Sequence, residues 1–355
     1  LRAGLDLICI FGSMNKLRWL LFPFGLLYGL ITGLRNKLFD WGILKTYVIP
    51  VPAICVGNLS TGGTGKTPHV AFLAALLKSD LKVHILSRGY GRNTRGFILL
   101  DENSVSIEVG DEPLFYQAHF HPEVRVAVCE SRREGIAKLL QIEKPGVILL
   151  DDAFQHRHVS AGLSILLTEY DQPYFRDFPL PAGNLREFSS GRKRADLLIV
   201  TKCPAELPEA TKSAYIQKLR FSPQQVYFSS IAYGMLTAFR PGLQPDAEQV
   251  LLVTGIAHPE PLEAHLAQHY RVERMDFPDH HDFSLSDIQK IHKKFDTFAC
   301  QRKAIVTTEK DFMRLRSLPA SSGIGERPWF YQPITVCLDR ENAFKTEIKR
   351  YAQVI

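Results

Sequence analysis

The sequence lacks the pairings that organise many small or extracellular domains. Its six cysteines (Cys9, Cys55, Cys129, Cys203, Cys300 and Cys337) are scattered, with no CxxC pair and no histidines at zinc-ligand spacing. This excludes a disulfide framework or zinc ribbon and reads as buried, reduced thiols of a cytosolic protein. No internal repeat or low-complexity segment occurs, which excludes a solenoid. No block of one charge dominates: 43 basic and 37 acidic side chains give a net charge of +6. Residues 1–50 carry +4 of it, from Arg2, Lys16, Arg18, Arg35, Lys37 and Lys45 against Asp6 and Asp40. The rest is nearly balanced, which argues against nucleic acid as a partner and fits an N-terminal segment that meets anionic headgroups. An uninterrupted span of about 20 apolar residues is also missing. The uncharged stretch WLLFPFGLLYGLITGL at 19–34 is shorter than that and contains Pro23 and three glycines. It runs on into TGLRNKLFDWG, without the small-residue site of a cleaved signal peptide.

What that stretch does have is helical spacing. Leu17, Leu20, Leu21, Phe24, Leu27, Ile31, Leu34 and Leu38 recur on one face, flanked by Lys16, Arg18, Arg35 and Lys37 and by Trp19 and Trp41. We read residues 1–46 as a helix lying in a membrane interface, its basic side chains reaching the phosphates. Packing on the protein's own core is the competing reading. Gly25, Gly29 and Gly33 form a ridge suited to close approach. The first methionine is Met14, and residues 1–13 are read as an upstream extension.

After Pro50, short apolar runs alternate with helical segments: AICVGN (53–58), KVHILS (82–87), VRVAVCE (124–130), GVILLDD (146–152), LSILLTE (163–169) and DLLIVTK (196–202). Such continuous apolar strands are buried on both faces, as in a parallel sheet covered by helices. The expected fold is α/β, with a larger core at 47–230 and a smaller α/β domain at 231–355.

Within this pattern, STGGTGKT (60–67) fits GxxxxGKT except that Ser60 stands at the first glycine position. Gly62, Gly63 and Gly65 let successive backbone N–H groups of Ser60, Thr61 and Thr64 turn toward phosphate oxygens. Lys66 supplies a charge for the β- and γ-phosphates and Thr67 a hydroxyl for Mg²⁺, at the positive end of the following helix. Such a loop needs a metal-holding acid from a neighbouring strand, and GVILLDDAFQH offers Asp151 and Asp152. Adjacent aspartates point oppositely on a strand, so one serves the metal and the other its water or the loop. SRGYGR (87–92) presents Arg88 and Arg92 for the phosphates of ATP or of an acceptor. These residues specify Mg²⁺–nucleotide binding and leave the acceptor open.

VGNLSTGGTGKTP, SRGYGR, GDEP (110–113), DDAFQH (151–156), NLRE (184–187), VTGIAHP (253–259), FPDHH (277–281) and TTEKD (307–311) occur in that order. Together they resemble the tetraacyldisaccharide 4'-kinase family, over nearly the whole chain from Met14. The resemblance implies a P-loop kinase that moves the γ-phosphate of ATP, with Mg²⁺, to a membrane glycolipid of lipid A biosynthesis. It also implies a peripheral or monotopic position on the cytoplasmic face of the bacterial inner membrane. By the same resemblance, Asp111 of GDEP is the base and His280 of FPDHH supports it, with His281 as rival. Arg186 and Glu187 of NLRE lie near the transferring phosphoryl group and the metal. Ala153 departs from the glycine common in DDGFQH, a small change. No protein partner is evident.

A membrane-attached regulatory ATPase, or switch, would share everything through Asp152. It has no need of the acid–base residues in GDEP, NLRE and FPDHH. A soluble nucleotide kinase leaves the basic, apolar N-terminus unexplained.

Overall fold

A computed structural model of the chain describes residues 16–279, 281–316 and 318–353. Its main sheet, among the described residues, has nine strands. In spatial order they are Ile334–Leu338, Val226–Tyr233, Leu197–Thr201, Leu163–Glu169, Ala53–Asn58, Val147–Asp151, Val83–Ser87, Val124–Val128 and Ile98–Leu99. All neighbours run parallel except the two edge pairs. The apolar runs explain this arrangement: Ala53–Asn58, Val83–Ser87, Val147–Asp151 and Leu197–Thr201 are buried at every position. One face packs on helices Lys66–Leu77, Asp111–Phe120 and Glu341–Gln353. The other packs on Arg132–Ile142 and Glu209–Leu219. The fold is therefore the doubly covered α/β sheet expected of a P-loop protein.

A second sheet of five strands, in the order Thr237–Ala238, Trp329–Gln332, Lys303–Thr308, Gln249–Thr254 and Arg271–Asp276, has its own core around Ile288, Ile291, Phe295 and Trp329. The chain then returns: Ile334–Leu338 pairs with Val226–Tyr233, and Phe344 and Ile348 join the first core. The stretch 231–355 is thus divided between the two sheets, because the last strand completes an edge of the main sheet.

The N-terminal segment forms one helix, Lys16–Asp40. Its glycine ridge meets a loop of the core: a Cβ on Gly25 would fall 2.8 Å from the Pro179 carbonyl, and one on Gly29 would overlap the Phe188 ring. Phe22 stacks on Phe178 at 4.7 Å, and Phe39 is buried. Leu20, Phe24, Leu27, Ile31 and Leu34 face outward, exposed. The side chains of Lys16, Leu17 and Trp19, and residues 1–15, lie outside the described ones. No described helix is long and apolar enough to cross a membrane. Among the described cysteines none forms a disulfide; Cys55, Cys129 and Cys203 are buried as expected, whereas Cys337 is exposed at an edge strand.

Candidate active site

The loop Leu59–Gly65 leaves the carboxyl end of the central strand Ala53–Asn58, a place where parallel sheets bind ligands. Gly62 and Gly65 adopt φ of 109° and 83°, conformations that side-chain-bearing residues rarely take. Polar contacts pin the loop. Asn58 donates to the Thr64 hydroxyl at 2.8 Å, Thr201 to the Thr64 carbonyl at 3.0 Å, and the Thr61 N–H to the Asn184 carbonyl at 2.7 Å. That last bond, the Ser60–Leu185 bridge and the Arg186 N–H on the Leu59 carbonyl lay NLRE along the phosphate loop. Buried His69 holds the Gly65 carbonyl through Nδ1 at 2.7 Å, while Nε2 meets the Ser229 hydroxyl at 3.0 Å. A carbonyl only accepts, so Nδ1 carries the proton. Burial lowers the His69 pKa to about 4, leaving the ring neutral.

Lys66 and Thr67 open the helix Lys66–Leu77 and face the acids. The Lys66 ammonium lies 3.8 Å from Asp152, which also accepts from Arg186 at 2.9 and 3.0 Å. Burial opposes ionisation of Asp152, but Lys66, Arg186 and Arg132 outweigh it and lower its pKa. Asp151 behaves oppositely. It is fully buried, and burial together with the charges of Glu112 and Asp152 raises its pKa to about 7. Its Oδ2 accepts from Ser87 at 3.0 Å, and Oδ1 is buried without a hydrogen-bond partner. Thr67 donates to Glu112 at 3.2 Å, so GDEP adjoins the phosphate loop. These groups are hard oxygen donors in excess negative charge, and the orphaned Asp151 oxygen is a fit for a small divalent cation. Among the described residues no three His, Cys, Asp or Glu converge to hold a metal unaided. Mg²⁺ needs no such cluster, since one or two carboxylates with substrate phosphates and water suffice.

Asp111 opens the helix Asp111–Phe120, beside Gly110 at φ 91°. The Ser106 hydroxyl donates to one carboxylate oxygen and the Arg314 guanidinium to the other, with Nε at 2.7 Å. His280 lies outside the described residues. Its motif nevertheless converges on this place: the Gly255 N–H donates to Asp311 at 2.9 Å, and a Cβ on Gly255 would sit 3.3 Å from the Pro278 carbonyl oxygen and 3.5 Å from the Cβ of His281. Asp311 in turn binds Arg314 at 3.0 Å. His281 is bonded through Nε2 to Asp287, 3.1 Å away.

The two arginines of SRGYGR separate. Arg88 is exposed, whereas Arg92 is tied to the Gly96 carbonyl at 2.6 Å and to Glu130 at 2.8 Å. Glu187 is nearly sealed and accepts from Arg194 at 2.7 and 2.8 Å, from Asn36 at 2.7 Å and from Gln155 at 3.2 Å. Beside DDAFQH opens a basic cavity of about 290 Å³, lined by Lys45, Arg132, Arg133, His156 and His158 together with Glu130. Arg132 is buried and spans from the Cys129 carbonyl to the Asp151 carbonyl, both at 2.8 Å. Sequence reasoning passed over Glu112 and Gln155, although both stand inside quoted motifs. It had no signal for His69, Arg132, Arg194 or Arg314, whose partners are distant in the chain.

A phosphate loop on a parallel sheet, its lysine facing an aspartate pair and its threonine facing a second acidic motif, defines a P-loop phosphotransferase. Comparison with known proteins makes the assignment specific. The family model "Tetraacyldisaccharide-1-P 4'-kinase" matches residues 17–353. The chain is 44% identical to the tetraacyldisaccharide 4'-kinase of Parabacteroides distasonis over 95% of each chain. It is 45% identical to that of Flavobacterium johnsoniae, over 95% of this chain and 98% of the relative. The crystal structure of "apo" form LpxK from Aquifex aeolicus in complex with ATP superposes with a TM-score of 0.75 at 33% identity, covering 95% of this chain and 99% of that one. The chain belongs to the tetraacyldisaccharide 4'-kinase family, and it is a kinase.

Proposed function

We propose that this kinase transfers the γ-phosphate of ATP to the 4'-hydroxyl of a tetraacylated disaccharide 1-phosphate, a step of lipid A biosynthesis. The observation that carries the reading is the 3.2 Å bond between Thr67 of the phosphate loop and Glu112 of GDEP, which sets Asp111 beside the nucleotide-binding loop. Phosphoryl transfer asks mainly for positioning and charge neutralisation, and these residues supply both. The loop amides of residues 60–67 and Lys66 hold the phosphates, and Asp111 accepts the proton of the attacking hydroxyl. His280 supports it from the C-terminal domain.

Thr67 and Asp151 would hold Mg²⁺, with Asp152 ordering its water. When bound, the ion neutralises charge on the phosphate oxygens. Arg186 holds Asp152 in register. Glu187, assigned to the metal by resemblance, is engaged by Arg194 and Asn36, and acts on the site from behind the loop. Arg88, exposed beside the basic cavity, serves the phosphate already on the acceptor: its charge is felt by both Arg132 and His156. The outward apolar face of the helix Lys16–Asp40 lies in the surface of the inner membrane on its cytoplasmic side. The glycolipid can then reach the site without leaving the bilayer. The acceptor cleft forms between the core and the C-terminal domain, whose closure excludes water.

The test uses detergent-dispersed protein, γ-labelled ATP, Mg²⁺ and the tetraacylated disaccharide monophosphate. Label is expected in the lipid and is expected to vanish in Lys66→Ala. ATP consumed by folded protein without lipid labelling would instead support a switch or regulatory ATPase.

A further inference from the structure

We infer that Arg314 is a positioning residue for the phosphoryl acceptor's base, an inference that rests on reading Asp111 as that base. Arg314 belongs to the helix Glu309–Leu315 of the C-terminal domain, and its side chain is almost completely buried. A buried guanidinium is costly unless fully paired, and this one lies between two carboxylates. Nε, 2.7 Å away, and Nη2 both donate to Oδ2 of Asp111, while Nη1 donates to Oδ1 of Asp311 at 3.0 Å. Asp311 is itself immobilised, accepting from the Gly255 N–H at 2.9 Å and the Thr308 hydroxyl at 2.7 Å. The other oxygen of Asp111 receives the Ser106 hydroxyl, so both sides of the carboxylate are held. A second bond joins the same two helices: His119 Nε2 meets Glu309 Oε1 at 2.7 Å. The helix that begins with the base is thereby gripped by one helix of the other domain. The orientation of Asp111 is set by where that domain sits.

Asp111 and Arg314 are 203 positions apart in sequence. Among the described residues, the carboxylates that Arg314 bonds are those of Asp111 and Asp311 and not a residue of the phosphate loop, so its removal should be felt in turnover and not in substrate binding. Steady-state kinetics on the full chain with γ-labelled ATP and the tetraacylated disaccharide monophosphate test this, alongside melting curves. Arg314→Ala is expected to lower kcat ~10- to 100-fold, the scale set by misplacing a reacting group, with both KM values within about twofold. Arg314→Lys, which offers one point charge in place of a planar fork, should fall between. Asp111→Asn should lower kcat by ~10²-fold or more, and adding Arg314→Ala to it should cost nothing further.

Wild-type kcat in Arg314→Ala with an impaired Asp111→Asn overturns the inference and leaves the base assignment standing. Full turnover in Asp111→Asn removes the base assignment itself, and the inference with it. An additive double variant reduces Arg314 to scaffold and also overturns the inference. Should Arg314→Ala not fold, the lysine variant decides by the same comparison.

Discussion

Asn36 donates a 2.7 Å hydrogen bond to the buried carboxylate of Glu187, joining the N-terminal helix to the segment that lies along the phosphate loop. Around it, Arg35 reaches the Gln155 carbonyl at 3.3 Å, and Arg157 reaches both the Asn36 carbonyl and Asp40. A helix whose outer face is greasy is thus fastened by polar bonds to DDAFQH and NLRE. Hydrogen bonds to a charged group contribute about 1.5–3 kcal/mol. Asn36→Ala should therefore lower stability by about that amount in urea unfolding. An unchanged midpoint would show that Glu187 is satisfied without the helix.

The glycine ridge makes a sharper prediction. Gly25 lies against the backbone carbonyl of Pro179 and the Cβ of Ala182, with no flexible side chain to yield. Gly25→Ala should cost about 1–3 kcal/mol, the range for overpacking, seen as a lowered melting temperature. In Gly33→Ala only the Phe188 ring comes near, at 3.9 Å, and no loss is expected. Equal effects at the two positions would contradict this packing.

The outward face of the helix Lys16–Asp40 should govern membrane binding. Leu27, Ile31 and Leu34 are 57%, 60% and 59% exposed. Replacing all three by Asp should release the protein from vesicles of mixed anionic and zwitterionic lipid in a flotation assay. The melting temperature should change little, because more than half of each side chain already faces outward. Retained flotation would place the membrane contact elsewhere.

His156, beside the basic cavity, has its pKa lowered to about 4 by burial and by the charges of Arg132 and Arg88. A histidine with a folded pKa below its unfolded value near 6.5 binds fewer protons when folded. Its neutral form is compatible with the fold above pH 6.5, and stability is lost as pH falls from there through about 4. His69 acts in the same direction. The stability difference between wild type and His156→Gln should therefore shift against the wild type across that window and level off above it. A difference independent of pH would contradict the burial argument.

Lys66 and Asp152 give the last prediction. At 3.8 Å the pair holds the lysine near the acids. Asp152→Asn also leaves Arg186 without its carboxylate partner. Nucleotide affinity, followed by titration calorimetry, should fall about tenfold or more in Lys66→Ala. In Asp152→Asn the loss should be largest in the presence of Mg²⁺ and smaller with chelator. Equal losses with and without the metal would remove Asp152 from its neighbourhood.

Much of this protein was legible because the information is local. The strands of the main sheet follow from apolar runs that only a doubly covered sheet can bury, and STGGTGKT carries its own backbone requirement in Gly62 and Gly65. The amphipathic spacing of residues 20–34 likewise announced a helix with one apolar side. What those residues could not show was which contacts close over long separations. Ile334–Leu338 returns to the main sheet because an edge strand there needed a partner. Arg92, readable as a phosphate ligand, also meets Glu130 at 2.8 Å through Nη2, and Glu187, readable as a metal ligand, also accepts from Arg194 and Asn36. Arg314 carried no motif at all, yet it reaches Asp111 across 203 positions. Turn geometry and periodicity are set by neighbours along the chain, so the sequence by itself determined them. The partner of a buried charge is set by whichever opposite charge the packed domains bring within hydrogen-bonding distance, and only the tertiary structure decided that.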